Sequence, residues 1–176
     1  IYDDIIGTSD HTIKIGTSFV AIDISQQADT LSQKRMELVP GIFAEYTYTG
    51  RRLTGVFGSR YDYHSIFGGQ FSPRVHLKYL LSEMTDLRFT AGKGWRVPNF
   101  IIDNISLLAS SKQWIAPSET KPEISWNIGG SLVHEMKIFE RKATISLDFY
   151  HTRFENQLIV DRDDAINAIV FSNLKT

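Results

Sequence analysis

Residues 73–81 read Pro-Arg-Val-His-Leu-Lys-Tyr-Leu-Leu, and this stretch decides the fold. Successive side chains of an extended strand point to opposite faces, so the stretch predicts a strand with one apolar and one basic face. The apolar face carries Val75, Leu77, Tyr79 and Leu81, and the basic face carries Arg74, His76 and Lys78. A soluble sheet packs its apolar face into a core, whereas a transmembrane barrel turns that face to lipid and keeps charge inside.

The same alternation recurs along the chain, and helical periodicity is weak except for one short turn at Pro98–Leu108, which Asn99 or Asp103 would cap. The predicted fold class is therefore all-β, an antiparallel meander of about eight long strands that forms part of a larger transmembrane β-barrel. The predicted strands are His11–Asp23, Leu38–Thr49, Arg52–His64, Pro73–Ser82, Thr85–Arg96, Glu119–Met136, Lys142–Val160 and Ala168–Leu174.

The predicted connections alternate between short and long, as expected when one end of a barrel carries turns and the other carries loops. Short turns are expected at Thr49–Arg52, Glu83–Asp86 and Lys137–Arg141. Longer connections are expected at Gln26–Glu37, Ser65–Ser72, Val97–Ser118 and Asp161–Asn167. Aromatic residues also collect near both ends of the apolar face, with Tyr46 and Tyr48 at one end and Tyr61, Tyr63 and Trp95 towards the other. Such aromatic girdles are typical of lipid-exposed barrels.

The opposite face carries charge on most strands. We expect eight of these residues to face the lumen: Glu45, Arg60, Asp62, Arg74, Lys78, Arg88, Glu123 and Asp148. Lys93 is the exception, because its parity places it among the lipid-facing residues. A lysine at the midplane of a bilayer costs about 2–4 kcal/mol, so Lys93 should lie near the rim or after a change of register.

Composition excludes several classes of protein. The chain has 176 residues and a net charge of −1, which gives no indication of nucleic-acid binding. It has no cysteine, so a thiolate metal site is excluded. No stretch approaches the ~18 consecutive apolar residues of a transmembrane helix, but a tilted transmembrane strand needs only about 9–11 residues.

Catalytic and metal-binding patterns are weak, so we expect no enzyme activity, no cofactor and no metal site. The five histidines lack the helical i, i+4 spacing of zinc hydrolases. His64, Asp62 and Arg60 share a face, but interspersed charges on a lumen wall more often pair with one another. The basic residues Arg74, His76 and Lys78 could attract an anionic ligand, but they are likewise expected to pair with acidic neighbours such as Glu45 or Asp62.

The long connection Val97–Ser118 is the best candidate for ligand contact, since long loops without regular structure are often functional. It combines exposed aromatic side chains with amide and charged ones, which suits recognition of a polar nutrient. The candidate residues are Asn99, Phe100, Asp103, Asn104, Lys112, Gln113 and Trp114. A surface loop that packs on its neighbours is an equally good interpretation.

Several motifs resemble the β-barrel of TonB-dependent outer-membrane receptors over roughly Leu38–Leu174. They include Ser72-Pro73-Arg74 at a strand start and Gly94-Trp95-Arg96-Val97-Pro98 before a long loop, with Trp126–Leu132 and Asp148–Ile159 further on. The resemblance implies a 22-stranded barrel in the bacterial outer membrane, closed by an N-terminal plug domain.

By this resemblance, residues 1–176 are a fragment of the barrel domain that lacks the plug. The intact receptor would import a scarce nutrient of the siderophore, cobalamin, haem or glycan class with energy from TonB. Its partners would be outer-membrane lipid, its own plug domain, the TonB complex through the plug and the nutrient ligand.

Two alternatives remain open from the residues alone. A soluble β-barrel or sandwich that binds a ligand would bury a dry core formed by Leu77, Ile124, Ile128, Ile145 and Leu147. A small outer-membrane barrel enzyme or adhesin would need a convergent set of catalytic or adhesive residues at the lumen or rim.

Overall fold

A computed structural model describes residues 1–7, 9–28, 31–99, 101–110, 112–115, 120–161 and 167–174. Eight strands form one antiparallel sheet in which each strand pairs with the next one along the chain, except that β7 is absent from the order. The strands of this sheet are β1 (Tyr2–Ile5), β2 (His11–Ala28), β3 (Leu31–Thr49), β4 (Leu53–His64), β5 (Gly68–Ser82), β6 (Thr85–Arg96), β8 (Glu123–Ile138) and β9 (Arg141–Glu155). The predicted all-β meander is confirmed.

A second, smaller sheet is separate from the large eight-stranded sheet, which we call the wall. It consists of β7 (Gln113–Ile115), β10 (Leu158–Asp161) and β11 (Ala168–Asn173), with β11 in the centre. Strand β11 pairs antiparallel with β10 and parallel with β7. A 3₁₀ helix, η1 (Ile102–Ala109), precedes β7. Among the described residues, no helix has the length and apolar character needed to span a membrane.

The register gives the large sheet one apolar and one polar face. One cross-strand row on the apolar face, from β4 to β9, consists of Leu53, Tyr79, Leu87, Leu132 and Leu147. The neighbouring row on the polar face consists of Thr54, Lys78, Arg88, Ser131 and Asp148. Because the two rows differ by a single residue step, a slip of one residue would exchange the two faces.

In the large sheet, charged side chains are buried and apolar side chains are exposed, which is the reverse of a soluble protein. Among the described residues, the large sheet buries Glu37, Asp62, His64 and Glu123, while most of its large apolar side chains are exposed. Ile128, Ile145 and Leu147 are 47%, 57% and 71% exposed, so the dry core required by the soluble alternative is absent among the described residues. Exposed apolar and buried charged side chains are expected of a membrane barrel wall.

Two predicted long connections are strands in the structure. Strands β2 and β3 pair continuously from His11–Tyr48 to Ala28–Leu31, so Gln26–Ala28 and Leu31–Glu37, predicted as parts of a loop, lie in strands. Strand β5 begins at Gly68, which leaves a connection of only Ser65-Ile66-Phe67. Alternation did not predict these strand ends, because glycine and polar residues give no alternating apolar pattern. The backbone hydrogen bonds between the strands do not need apolar side chains and continue through these residues.

The last part of the chain also departs from the prediction. Lys142–Val160 is not one strand, since β9 ends at Glu155 and Asn156 adopts a left-handed φ of 56°. The chain then leaves the large sheet to form β10 and β11. The eighth strand of the large sheet is instead β1, which the sequence analysis missed.

The two ends of the large sheet differ. We call the end with residues 50–52, 83–84 and 139–140 the turn end, and the end with residues 65–67 and the connection 97–122 the loop end. Short turns are confirmed at the turn end. At the loop end, the long connection is 97–122, and it contains η1 and β7.

Candidate functional site: the polar face and the loop end

The register places all eight predicted lumen residues on the polar face of the large sheet. They fall on β3, β4, β5, β6, β8 and β9, which makes the face charged from one side of the described wall to the other. These residues are Glu45, Arg60, Asp62, Arg74, Lys78, Arg88, Glu123 and Asp148. What they face in the intact protein remains a prediction.

Arg60 and Asp62 form a two-point ion pair on β4. Arg60 Nε lies 2.7 Å from Asp62 Oδ2, and Arg60 Nη2 lies 2.7 Å from Asp62 Oδ1. The same Nη2 also donates to the hydroxyl of Ser18 at 2.6 Å. Asp62 is only 4% exposed, and Gly41 opposite it leaves the space that its carboxylate fills. Paired in this way, both groups are fixed in position rather than free to act as an acid or a base.

His64 lies beside this pair and contacts a second buried carboxylate. Its Nδ1 accepts hydrogen bonds from the backbone N–H groups of Ile66 and Phe67, at 3.1 and 3.4 Å. This assigns the proton of a neutral ring to Nε2, which lies 3.4 Å from Glu37 Oε2. Arg35 Nε is 2.5 Å from Glu37 Oε1, an ion-pair contact whose angles do not make a hydrogen bond. The arrangement holds the loop-end connection against β3.

Lys93 occupies the point where β6 separates from β5. The last residue pair between these strands is Arg74 with Gly92, so Lys93 is the first residue beyond the ladder. It lines a cavity of about 380 Å³ together with residues of the polar face. The other lining residues are Phe43, Ala44, Glu45, Gly58, Ser59, Arg60, Ser72 and Arg74.

Trp95 departs from its predicted place in the aromatic girdle. Its ring centroid lies 6.0 Å from that of His64, edge-on, so the indole contacts a residue of the polar face. Like Lys93, it follows the end of the β5–β6 ladder, where strand parity relative to β5 no longer decides which neighbours a side chain meets.

Ion pairs neutralise part of the charge on the residues that line the 380 Å³ cavity beside Lys93. Arg74 is paired with Glu45, and Arg60 is paired with Asp62. Lys93 has no ion pair within 4.0 Å among the described residues. Of the charged residues that line the cavity, Lys93 is therefore the one without an ion pair among the described residues.

A second, larger cavity of about 490 Å³ lies nearer the turn end of the polar face. The expected pairing of basic residues is found here, although the acidic partner is one that the sequence analysis did not name. Asp86 lies 3.0 Å from both Lys78 and Arg88. His76 Nδ1 is 3.0 Å from the hydroxyl of Thr90.

Glu123 joins the wall to the loop-end elements. One of its oxygens accepts from Arg96 Nε at 2.5 Å, and the other accepts from the backbone N–H of Leu158 at 2.7 Å. Arg96 also lies 3.5 Å from Asp103 of η1. A single buried carboxylate thereby connects β8, β6 and β10, and it reaches η1 through Arg96.

The loop-end elements have their own apolar core, which corrects one of the loop predictions. Trp114 is 5% exposed and its ring centroid lies 5.2 Å from that of Phe171, so the expectation of an exposed aromatic is wrong for this residue. The other buried members of this core are Ile101, Leu107 and Ile169. This part of the connection packs on its neighbours.

The remaining loop candidates have mainly local contacts. Asn99 Oδ1 accepts from the N–H of Ile102 at 3.2 Å, and Asp103 accepts from the N–H of Asn99. Gln113 N–H donates to the carbonyl of Asn167 at 2.9 Å, within the small sheet. Asn104 and Lys112 also have partners, and Phe100 lies outside the described residues. A ligand-binding role for these residues remains a prediction.

Several residues of the site escaped the sequence analysis. Arg35 and Glu37 were assigned to a loop, and Asp86 was assigned to a turn. Glu37 has the parity of Glu45, which would have indicated its face had β3 been extended. Within the described ranges, no three His, Asp or Glu side chains are grouped so that they could hold a metal ion.

A large antiparallel wall with an exposed apolar face, a charged opposite face and long connections at one end is the arrangement expected for the wall of a transmembrane β-barrel. The family model "TonB dependent receptor-like, beta-barrel" matches residues 3–175. The chain belongs to this family.

Solved receptors share the fold. The siderophore receptor PirA from Pseudomonas aeruginosa matches with a TM-score of 0.73 at 16% identity, covering 98% of this chain and 32% of that chain. A ferric enterobactin receptor mutant from Pseudomonas aeruginosa (PfeA), in complex with enterobactin, matches with a TM-score of 0.71 at 16% identity, covering 99% and 30%. PirA from Acinetobacter baumannii matches with a TM-score of 0.68 at 14% identity, covering 94% and 30%.

This chain thus spans about a third of the length of the receptors it matches. No curated protein matches its sequence.

Proposed function

We propose that the chain is a segment of the barrel domain of an outer-membrane receptor that imports a ferric siderophore with TonB-coupled energy. The family membership and the siderophore receptors among its structural neighbours support this function. The observation that carries the proposal is the charged polar face, on which Glu45, Arg60, Arg74 and Lys93 line a cavity closer to the loop end than the larger one.

The proposed ligand path begins at the loop end. Asn99, Asp103, Asn104, Lys112 and Gln113 lie on or beside η1 and β7, where they would meet a ligand arriving from outside. Below them, the ammonium group of Lys93 would attract an anionic ligand, because charge inside a cleft raises the local concentration of the opposite charge.

The polar face would line the lumen and contact the receptor's own plug domain, while the apolar face would meet outer-membrane lipid. Coupling to the TonB complex would run through the plug. In this scheme residues 1–176 supply wall and loops, and the barrel itself makes or breaks no bond. Its location would be the bacterial outer membrane.

The test is ligand binding by the full-length receptor purified in detergent, followed by quenching of tryptophan fluorescence. Ferric catecholate and ferric hydroxamate siderophores, haem and cobalamin are titrated separately. We expect saturable binding of a ferric siderophore, with an affinity that falls as the salt concentration rises. Binding of cobalamin or haem alone, or of none of the four, would contradict the proposal.

The variant Lys93→Gln tests the cavity. Loss of about 1–2 kcal/mol of charge interaction in a partly screened site weakens siderophore binding by roughly 5- to 30-fold and reduces its salt dependence. Lys142→Gln, at the turn end of β9, is the matched control and should leave binding unchanged.

A further inference from the structure

The β2–β3 hairpin exchanges the character of its two faces between the turn end and the loop end. On β2, the face that continues the lipid side of the wall is first apolar, with Ile13, Ile15 and Phe19. Beyond Ala21 the same face of β2 carries only polar side chains, which are Asp23, Ser25 and Gln27. Because lipid-facing strand residues are apolar, the hairpin leaves the apolar band of the membrane near Phe19.

The opposite face of the hairpin changes in the reverse direction. It is polar at Ser18 and then becomes aliphatic. We call its next residues the apolar row, which consists of Val20, Ile22 and Ile24 on β2 with Val39 opposite Val20 on β3. Over Val20–Ile24 the row runs about 13 Å along the strand, at ~3.3 Å per residue. Since the row continues the polar face of the wall above the membrane, it points towards the barrel axis and away from lipid.

The described loop-end elements leave the apolar row open. Val20 and Ile22 are 44% and 42% exposed, and the buried core of the loop-end elements is formed without them. On β3, Glu37 lies opposite Ile22 and Arg35 lies opposite Ile24, and these two charged residues pair with each other. An aliphatic surface beside a closed ion pair suits an alkyl group rather than a charged one.

The apolar row is continuous with the proposed ligand path. Ser18, the residue below Val20 on this face, accepts a hydrogen bond from Arg60 at 2.6 Å. Arg60 in turn lines the 380 Å³ cavity together with Lys93. A ligand that lies between the row and this cavity would meet an aliphatic surface with one part and the ammonium group of Lys93 with the other.

We propose that the apolar row binds the acyl chain of an amphiphilic ferric siderophore, whose iron chelate lies towards the Lys93 cavity. This inference rests on the proposed function and narrows its substrate class to siderophores that carry a hydrocarbon chain. Removal of each methylene from water favours binding, and the length of the row fits a medium-chain acyl group.

The experiment measures binding to the full-length receptor in detergent by quenching of tryptophan fluorescence. The probes are N-acetyl and N-octanoyl derivatives of a ferric trihydroxamate and of a ferric triscatecholate, and equilibrium dialysis gives the free ligand concentration. We expect the octanoyl form of the recognised chelate to bind at least about tenfold more tightly than its acetyl form, which corresponds to burial of about two methylenes.

The double variant Val20→Thr and Ile22→Thr tests the row, because threonine keeps a β-branched side chain on the strand and removes its apolar character. The preference for the octanoyl form should fall to about twofold or less, with the acetyl form bound as by the wild type. Met36→Thr, at a 63% exposed position on the outer face of the same hairpin, is the matched control and should retain the full preference. The acyl chain partitions into detergent equally with either variant, so their comparison is independent of partition.

Equal binding of the acetyl and octanoyl forms by the wild type would overturn the acyl site and leave siderophore uptake in place. A preference that survives the double variant would show that the chain binds elsewhere, which also overturns the inference. Equal weakening of both forms, with a lower thermal midpoint, would show that the row packs on protein and would overturn it too. If no probe binds, the proposed function fails and this inference fails with it.

Discussion

The ring of Tyr150 on β9 lies across Gly129 on β8, its direct cross-strand partner. A Cβ atom at Gly129 would come within 2.4 Å of the ring carbon Cδ1 and 3.0 Å of Thr90 Cγ2. The aromatic ring therefore occupies the space of the missing side chain and covers the backbone of the neighbouring strand. The next residue, Gly130, has open space, with only the carbonyl oxygen of Arg88 at 3.9 Å.

The variant Gly129→Val should destabilise the barrel, because the ring of Tyr150 must leave its position or the strands must separate. Overpacking of this kind costs about 1–3 kcal/mol. The measurement is the urea midpoint of the full-length receptor in detergent micelles. Gly130→Ala is the matched control and should change the midpoint little. Equal effects at the two positions would contradict the covering role of Tyr150.

The two faces of β8 predict opposite responses to a charge. Leu132→Arg puts a cation on the apolar face, at a cost of about 2–4 kcal/mol near the bilayer midplane. Ser131→Arg puts the same side chain on the polar face, opposite Asp148. We expect heat-modifiable, folded receptor in the outer-membrane fraction for Ser131→Arg and a strong loss for Leu132→Arg. The reverse order would show that the faces are assigned wrongly.

Glu123 should control the docking of β10 on the wall. Glu123→Ala removes the acceptor of the Leu158 N–H and the partner of Arg96, at a cost of about 1–3 kcal/mol for a buried donor left unpaired. Hydrogen exchange at the amides of β10 should accelerate by one to two orders of magnitude, and Glu123→Gln should have an intermediate effect.

Asp103→Asn provides the comparison for Glu123, since Asp103 is the more exposed and more distant partner of Arg96, at 3.5 Å. It should change exchange at Leu158 only slightly. An effect as large as that of Glu123→Ala would assign the docking to η1 instead.

Trp114 should hold the loop-end elements together without supporting the wall. Trp114→Ala removes a buried ring that packs on Phe171, a change that typically costs about 3–5 kcal/mol. We expect faster proteolysis within residues 101–115, with membrane assembly unchanged. Ile102→Ala, at a 60% exposed position of η1, should leave the proteolysis rate near wild type. Loss of assembly in Trp114→Ala would show that the loop core and the wall fold as one unit.

Much of the wall follows from local sequence. The alternation of Arg74, His76 and Lys78 with apolar residues determined both the strand and the face of each side chain, because the period of a strand is fixed by its backbone. The same rule placed all eight predicted lumen residues on one face. The exposure of apolar side chains and the burial of charged ones also follow from that pattern, because the wall is part of a membrane barrel.

The tertiary structure decided where each ladder ends and which distant segments meet. The separation of β6 from β5 after Gly92 brought Lys93 to the polar cavity and Trp95 to His64, against their parity. The pairing of β11 with β7 buried Trp114, although the two strands are more than fifty residues apart in sequence. Alternation is a local property of the backbone, whereas ladder ends and long-range pairs depend on partners that a single segment does not contain.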